Sequence, residues 1–149
     1  MEFRRKKILI AVDGSLHSSN AVRYVAQNCA QEDAKVTLMY FMSTVAESHW
    51  GAEKRGFAEE EIEVNVPQLL RRYIEHLERA GVISRRISTK VIMHSFSPSN
   101  DILREVTEQG HGTIVVGGRG LAKGNELPIG LMAKEGLDQS EGLAVWIVP

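Results

Sequence analysis

Thr113-Ile114-Val115-Val116-Gly117-Gly118-Arg119-Gly120 decides how the chain folds, and the segment runs on through Leu121 and Lys123 to Gly130. Four β-branched residues in a row, three of them apolar and with no polar alternation, read as a strand covered on both faces. Glycines follow, and Leu131-Met132-Ala133-Lys134 can then start a helix. A strand running through glycines into a helix is a place where bare backbone N–H groups can meet an anion. Glycine lets a ligand approach the main chain, and a helix start adds unpaired donors and a positive dipole end. The stretch therefore reads as a phosphate cradle, and the first expectation is a nucleotide-binding domain.

The same grammar recurs on either side. Ile8-Leu9-Ile10-Ala11-Val12 is a near-continuous apolar run that ends at Asp13-Gly14-Ser15. Ser15 or Ser18 can cap the next helix, where Ala21, Val22, Val25, Ala26 and Cys29 recur at helical spacing. Lys35 to Phe41 reads as a second strand. From Met42 to about Phe57 no periodicity is evident, and so long a connection is a functional lid or a disordered segment. Glu59-Glu60-Glu61 suits a helix start, where negative charge meets the dipole. Pro67 kinks or restarts that helix, Leu69, Leu70, Tyr73, Ile74 and Leu77 form its apolar stripe, and Gly81 ends it. A third strand is expected at about Ser88 to His94. Ser97 to Asp101 then caps a helix carrying Ile102, Leu103 and Val106, and Leu143 to Val148 forms the last strand.

Strands and helices thus alternate from end to end. The pattern predicts an α/β fold, a single domain over residues 1–149 with a five-stranded parallel sheet and helices on both faces. In such sheets ligands bind beyond the carboxyl ends of the strands, where strand order reverses. Asp13 and Gly117 both fall at carboxyl ends.

Composition narrows the class. With 149 residues and 43% apolar content, the chain can bury a sizeable core. A formal net charge of −1 gives no global field toward nucleic acid or anionic membrane. The basic run Arg4-Arg5-Lys6-Lys7 reads as a solvated flank of the first strand. One cysteine, Cys29, excludes an internal disulfide and gives no CxxC signature. No apolar stretch approaches the roughly 20 residues of a membrane span. The basic start leads into an apolar run too short for a signal peptide, so cytoplasm is the expected compartment.

The opening Lys7-Ile-Leu-Ile-Ala-Val-Asp13-Gly-Ser15 and the block Thr113 to Gly120 resemble the universal stress protein family, over nearly the whole chain. The resemblance implies a Rossmann-like sheet of the adenine nucleotide alpha hydrolase kind, often dimeric. It also implies a nucleotide-binding branch with the motif G-x-x-G-x9-G-[S/T]. Gly117, Gly120 and Gly130 keep that spacing. Leu131 stands where the branch has Ser or Thr, and Gly112 where many members have Asp.

By resemblance, Gly117, Gly120 and Gly130 admit the phosphates, and Leu131 and Met132 supply main-chain donors; Gly118 and Arg119 complete the candidate loop, where the Arg119 side chain can pair with phosphate. Asp13 lies near the base or ribose with Ala11 and Val12 beside it, and Phe41 lies against the adenine. Bland alternatives stand beside these roles: a turn residue for Asp13, core packing for Phe41, an exposed loop arginine for Arg119. The implied ligand is ATP or another adenine nucleotide, with or without Mg²⁺, or none if the altered motif is inactive. The resemblance also implies a homodimer through the edge strand Val145-Trp146-Ile147, against the alternative that Trp146 is buried under a helix of its own chain.

Other chemistries find no support. His17, His49, His76, His94 and His111 lack the spacing that zinc sites favour, and neither GxSxG nor a P-loop occurs. A receiver domain would need an acid after strand three, where Met93-His94 stands. The expected function is a stress-response binding switch with at most slow ATP hydrolysis. The alternative is a homodimeric interaction module of the same fold without nucleotide, which Leu131 favours.

Overall fold

A computed structural model describes residues 7–30, 33–42, 65–117 and 143–149. Gly118, Arg119, Gly120, Gly130, Leu131 and Met132 lie outside the described residues, as do Glu59 to Glu61 and the connection beyond Met42.

The elements are β1 (Lys7–Val12), α1 (Leu16–Cys29), β2 (Lys35–Phe41), α2 (Val66–Arg79), β3 (Ile87–Ile92), α3 (Pro98–Gln109), β4 (Thr113–Gly117) and β5 (Ala144–Val148). All five strands pair in parallel, in the order β3-β2-β1-β4-β5. The predicted parallel sheet is the observed one. Chain progress turns back between β1 and β4, so the sheet has its topological switch point there.

Each sheet face has its own apolar layer. Ile8, Ile10, Val12, Val36, Leu38, Tyr40 and Val115 point to the side covered by α1 and α2. Leu9, Ala11, Met39, Phe41, Ile114 and Val116 point to the side of α3. A strand's side chains alternate between faces, so a central strand covered on both sides must be apolar throughout. That is why β1 and β4 read as unbroken apolar runs.

Local chemistry sets the helix ends. Ser15 caps α1 by accepting from Ser18 N–H, Asn65 caps α2 by accepting from Gln68 N–H, and Ser97 caps α3 by accepting from Asn100 N–H. Pro67 falls in the first turn of α2, where its missing N–H costs nothing, so it begins this helix and does not kink it.

One boundary moves. The third strand starts at Ile87 and ends at Ile92, not at His94, after a short 3₁₀ turn Ser84–Arg86. Its middle residues Ser88 to Val91 are exposed, because β3 is an edge strand.

Candidate functional site

Asp13 is the first residue past β1, and the pairings Val12 with Tyr40 and Ala11 with Val116 bring three strand ends level with it. Phe41, Asp13 and Gly117 therefore share one carboxyl edge, across β2, β1 and β4. This edge contains the switch point.

The Asp13 carboxylate is held by the start of α1. Its Oδ1 accepts from the Ser15 N–H at 3.0 Å and from the Ser18 hydroxyl at 2.8 Å. Ser18 Oγ in turn accepts from the Asp13 N–H at 2.9 Å. A carboxylate, a hydroxyl and a helix start thus close one small ring, which the unpaired N–H groups of the first turn favour. Oδ2 makes no hydrogen bond among the described residues and can accept from a ligand. Asp13 is therefore a turn residue, as one reading held, with one oxygen still available.

Gly14 makes this geometry possible. Its φ of +88° lies in the left-handed region, and a Cβ there would come to 3.4 Å from the Leu69 side chain and 3.6 Å from the Tyr40 hydroxyl. Tyr40 and Tyr73 form a phenolic wall beneath the turn. Burial pushes the Tyr73 phenol up to about 12, the Asp13 carboxylate adds to the shift, and nearby Ser19 and the Gly14 backbone partly oppose it. The buried Tyr73 hydroxyl nonetheless makes no hydrogen bond of full geometry. Tyr40 is raised as well, by burial first and by Asp13 second. Both phenols are neutral near pH 7, so Asp13 is the single charge of this described cluster.

Gly117 has a structural duty that the motif does not announce. A Cβ there would come within 2.6 Å of the His17 carbonyl carbon and oxygen. The first turn of α1 thus rests on the end of β4, and only a glycine leaves room for it. Close approach by the protein's own backbone fixes this position, whatever a ligand adds.

Ala11 and Val12 are wholly buried, so any contact they make with a ligand runs through the main chain. Phe41 is 3% exposed and packs with Met39 and Ile102 on the α3 side. Trp146 is half-buried and meets Tyr24 of α1 edge-on, with ring centroids 5.6 Å apart. Its neighbour Ile147 is 51% exposed.

The sequence reading missed Tyr40, Tyr73 and the pairing of Ser18 with Asp13. Asp-x-Ser-x-x-Ser at a strand-to-helix junction was the available signal for the last of these. Among the described residues no group of three or more His, Cys, Asp or Glu could hold a metal ion. Nor does any described helix have the length and apolarity to cross a membrane.

The architecture matches solved structures along nearly its whole length. A universal stress protein in complex with cAMP is 19% identical, with a TM-score of 0.63 and 97% of each chain covered. A family member from Burkholderia pseudomallei is 18% identical, with a TM-score of 0.61, covering 100% of this chain and 98% of that one. The universal stress protein from Archaeoglobus fulgidus in complex with dAMP is 14% identical, with a TM-score of 0.58, covering 96% and 97%. No curated protein sequence matches the chain. At these identities the structures speak for the fold. The family model for universal stress proteins, however, matches the sequence itself from residue 4 to 141, and so the chain belongs to the universal stress protein family.

Proposed function

We propose that this protein binds an adenine nucleotide, ATP or a close relative, across the carboxyl ends of β1 and β4, and acts as a binding switch. The observation that carries the reading is Asp13, whose Oδ2 makes no hydrogen bond among the described residues, one residue beyond the level of Gly117 at the switch point. Relatives of the same fold in complex with cAMP and dAMP support adenine as the base.

In this reading Asp13 Oδ2 accepts from a ribose hydroxyl or the base. The main chain at Ala11 and Val12 lines the ribose side, and Phe41 backs the adenine. N–H groups at Gly117, Gly118, Gly120, Gly130, Leu131 and Met132 meet the phosphates, with Arg119 beside them and Mg²⁺ as an accompanying ion. Among the described residues none is poised to activate water, and we expect hydrolysis to be slow at most. Nucleotide sets the conformation of the glycine loop and of the Met42–Phe57 connection, and with it the surface offered to a partner. Two copies pair through Val145-Trp146-Ile147, whose exposed Ile147 lies on an edge strand that pairing would satisfy. The compartment is the cytoplasm.

A second reading, a homodimeric interaction module without nucleotide, is favoured by Leu131, which removes the hydroxyl of the motif. Thermal unfolding with ATP, ADP and AMP separates the two. A ligand bound only by the native state stabilises it by about 2.7 kcal/mol at 100 times its Kd. No shift at millimolar nucleotide favours the module. Gly120→Val should abolish the shift, and Leu131→Ser should enlarge it. An unchanged affinity in Leu131→Ser contradicts the phosphate placement.

A further inference from the structure

At the opposite end of the sheet, on the α3 side, lies a cavity of about 390 Å³ that contains five cationic side chains, Lys7, Lys35, Arg85, Arg86 and Lys90. Among the described residues one carboxylate, Glu105, lines the cavity with them, and a second, Asp33, reaches Arg86. Strand register builds this crowding. Lys7 pairs directly with Lys35, and Val36 with Ile87, so Lys35 also neighbours Arg86. Like charges side by side on neighbouring strands repel. A chain of net charge −1 has concentrated cations at one edge.

Three of the five have partners. Lys7 Nζ donates to the Gln109 carbonyl at the end of α3, Arg86 pairs with Asp33 at 2.7 Å, and Lys90 pairs with Glu105 at 2.6 Å. Lys35 and Arg85 have no ion pair or hydrogen bond among the described residues. The Thr37, Ser88 and Thr89 side chains add hydroxyls to the lining. His111 forms part of the wall, with Nε2 3.2 Å from Thr37 Oγ1. Its buried Nδ1 makes no hydrogen bond of full geometry among the described residues, with the Glu105 backbone close by. Burial first, and Lys7 second, hold its imidazole below the ordinary value against the partial opposition of Glu105, so the ring adds no charge of its own near pH 7.

We propose that this cavity is a second anion site, taking a small molecule that carries two or more phosphate groups, at the end of the sheet away from the nucleotide edge. An unpaired guanidinium can grip a phosphate through two parallel N–H bonds, and an ammonium adds a point charge beside it. The volume suits a small ligand. Among the described residues the cationic row spans β1, β2, the turn before β3 and Lys90 on β3, a track only three strands wide and short for a polymer's backbone. Occupancy would relieve the repulsion along the row.

Isothermal titration of the full chain tests this, with inorganic tripolyphosphate in one arm and a sugar bisphosphate in the other. The arms tell a phosphoanhydride chain from spaced phosphate esters. Saturable binding by either probe is expected, weakening by roughly tenfold or more in the double variant Lys35→Glu, Arg85→Glu, and falling as salt rises. Should the reversals impair folding, Lys35→Gln with Arg85→Gln should weaken binding in the same direction. Amide shifts of Thr37, Ser88 and His111 should move with the probe. No saturable heat with either probe at millimolar concentration overturns the proposal. So does an affinity untouched by both double variants, or shifts confined to Asp13 and Gly117. Each of these results leaves the adenine reading standing, because that reading rests on the other end of the sheet.

Discussion

At the carboxyl end of β1 a lone carboxylate, Asp13, has its charge met by a backbone N–H and a hydroxyl. At the amino end of the same strand Lys7 stands beside Lys35, and the row continues to Arg86. The first end is closed by short local bonds between residues within five positions of one another. The second is assembled by strand register from residues far apart in the chain. Local bonds at Asp13 are part of folding and should carry stability. The basic edge is crowded and half-exposed, and should carry little. The contrast suggests where the protein has spent order and where it has left charge available.

The largest effect expected at the carboxyl end comes from Gly117→Ala. The added Cβ meets backbone, which cannot swing away, so the variant should lose about 3 kcal/mol or more in urea unfolding. Wild-type stability in Gly117→Ala would show that α1 does not rest on β4 as described.

Ser18→Ala comes next. It removes a buried hydroxyl that bonds both the Asp13 carboxylate and the Asp13 N–H, and should cost about 2 kcal/mol. Ser15→Ala removes the α1 cap and should cost about 1 kcal/mol. If Ser15→Ala proved the costlier of the two, the ring around Asp13 would be held by the cap and not by Ser18. At the basic edge, Lys35→Gln should change stability by no more than about 0.5 kcal/mol, as for an exposed site. A large loss there would erase the contrast between the two ends.

The two ends should also separate by pH. His111 at the basic edge is held below its ordinary 6.5, so the unfolded state takes up its proton first as pH falls. Its contribution is present above pH 6.5 and is lost on acidification below it. Tyr40 and Tyr73 at the carboxyl end are raised above 10, so the unfolded chain loses those protons first as pH rises. Their contribution is present below pH 10 and, for Tyr73, is lost as pH climbs toward about 12. Urea midpoints measured across pH should lose the acid-side slope of His111 in His111→Gln and keep the alkaline one, whereas Tyr73→Phe should keep the acid side and shrink the alkaline slope to the share of Tyr40.

The sequence made one end of the molecule easier to read than the other. Apolar runs at Ile8 to Val12 and Thr113 to Val116 announced central strands, because burial on both faces leaves no room for polar alternation. β3 is less legible: its exposed edge carries Ser88, Thr89 and Lys90, which loosen the apolar pattern and blur the end of the strand. Asp13 and Gly117 were readable as site residues from their place after strands. The reason for Gly117 was not, since its constraint comes from His17, a hundred residues earlier, through a contact only the fold creates. The basic cavity was hidden for the same reason. Lys7, Lys35 and Arg85 are unremarkable where they stand in the chain and become neighbours through register alone.

Backbone amide shifts recorded during titration of the full chain with ATP test the central proposal most directly. The account predicts saturable shifts at Asp13, Gly14, Phe41 and Gly117, with the Asp13 perturbation lost in Asp13→Asn or shared with Ser15 and Ser18. Shifts that saturate at Lys35 and His111 while Asp13 and Gly117 stay still, or no saturable shift at millimolar ATP, would contradict it.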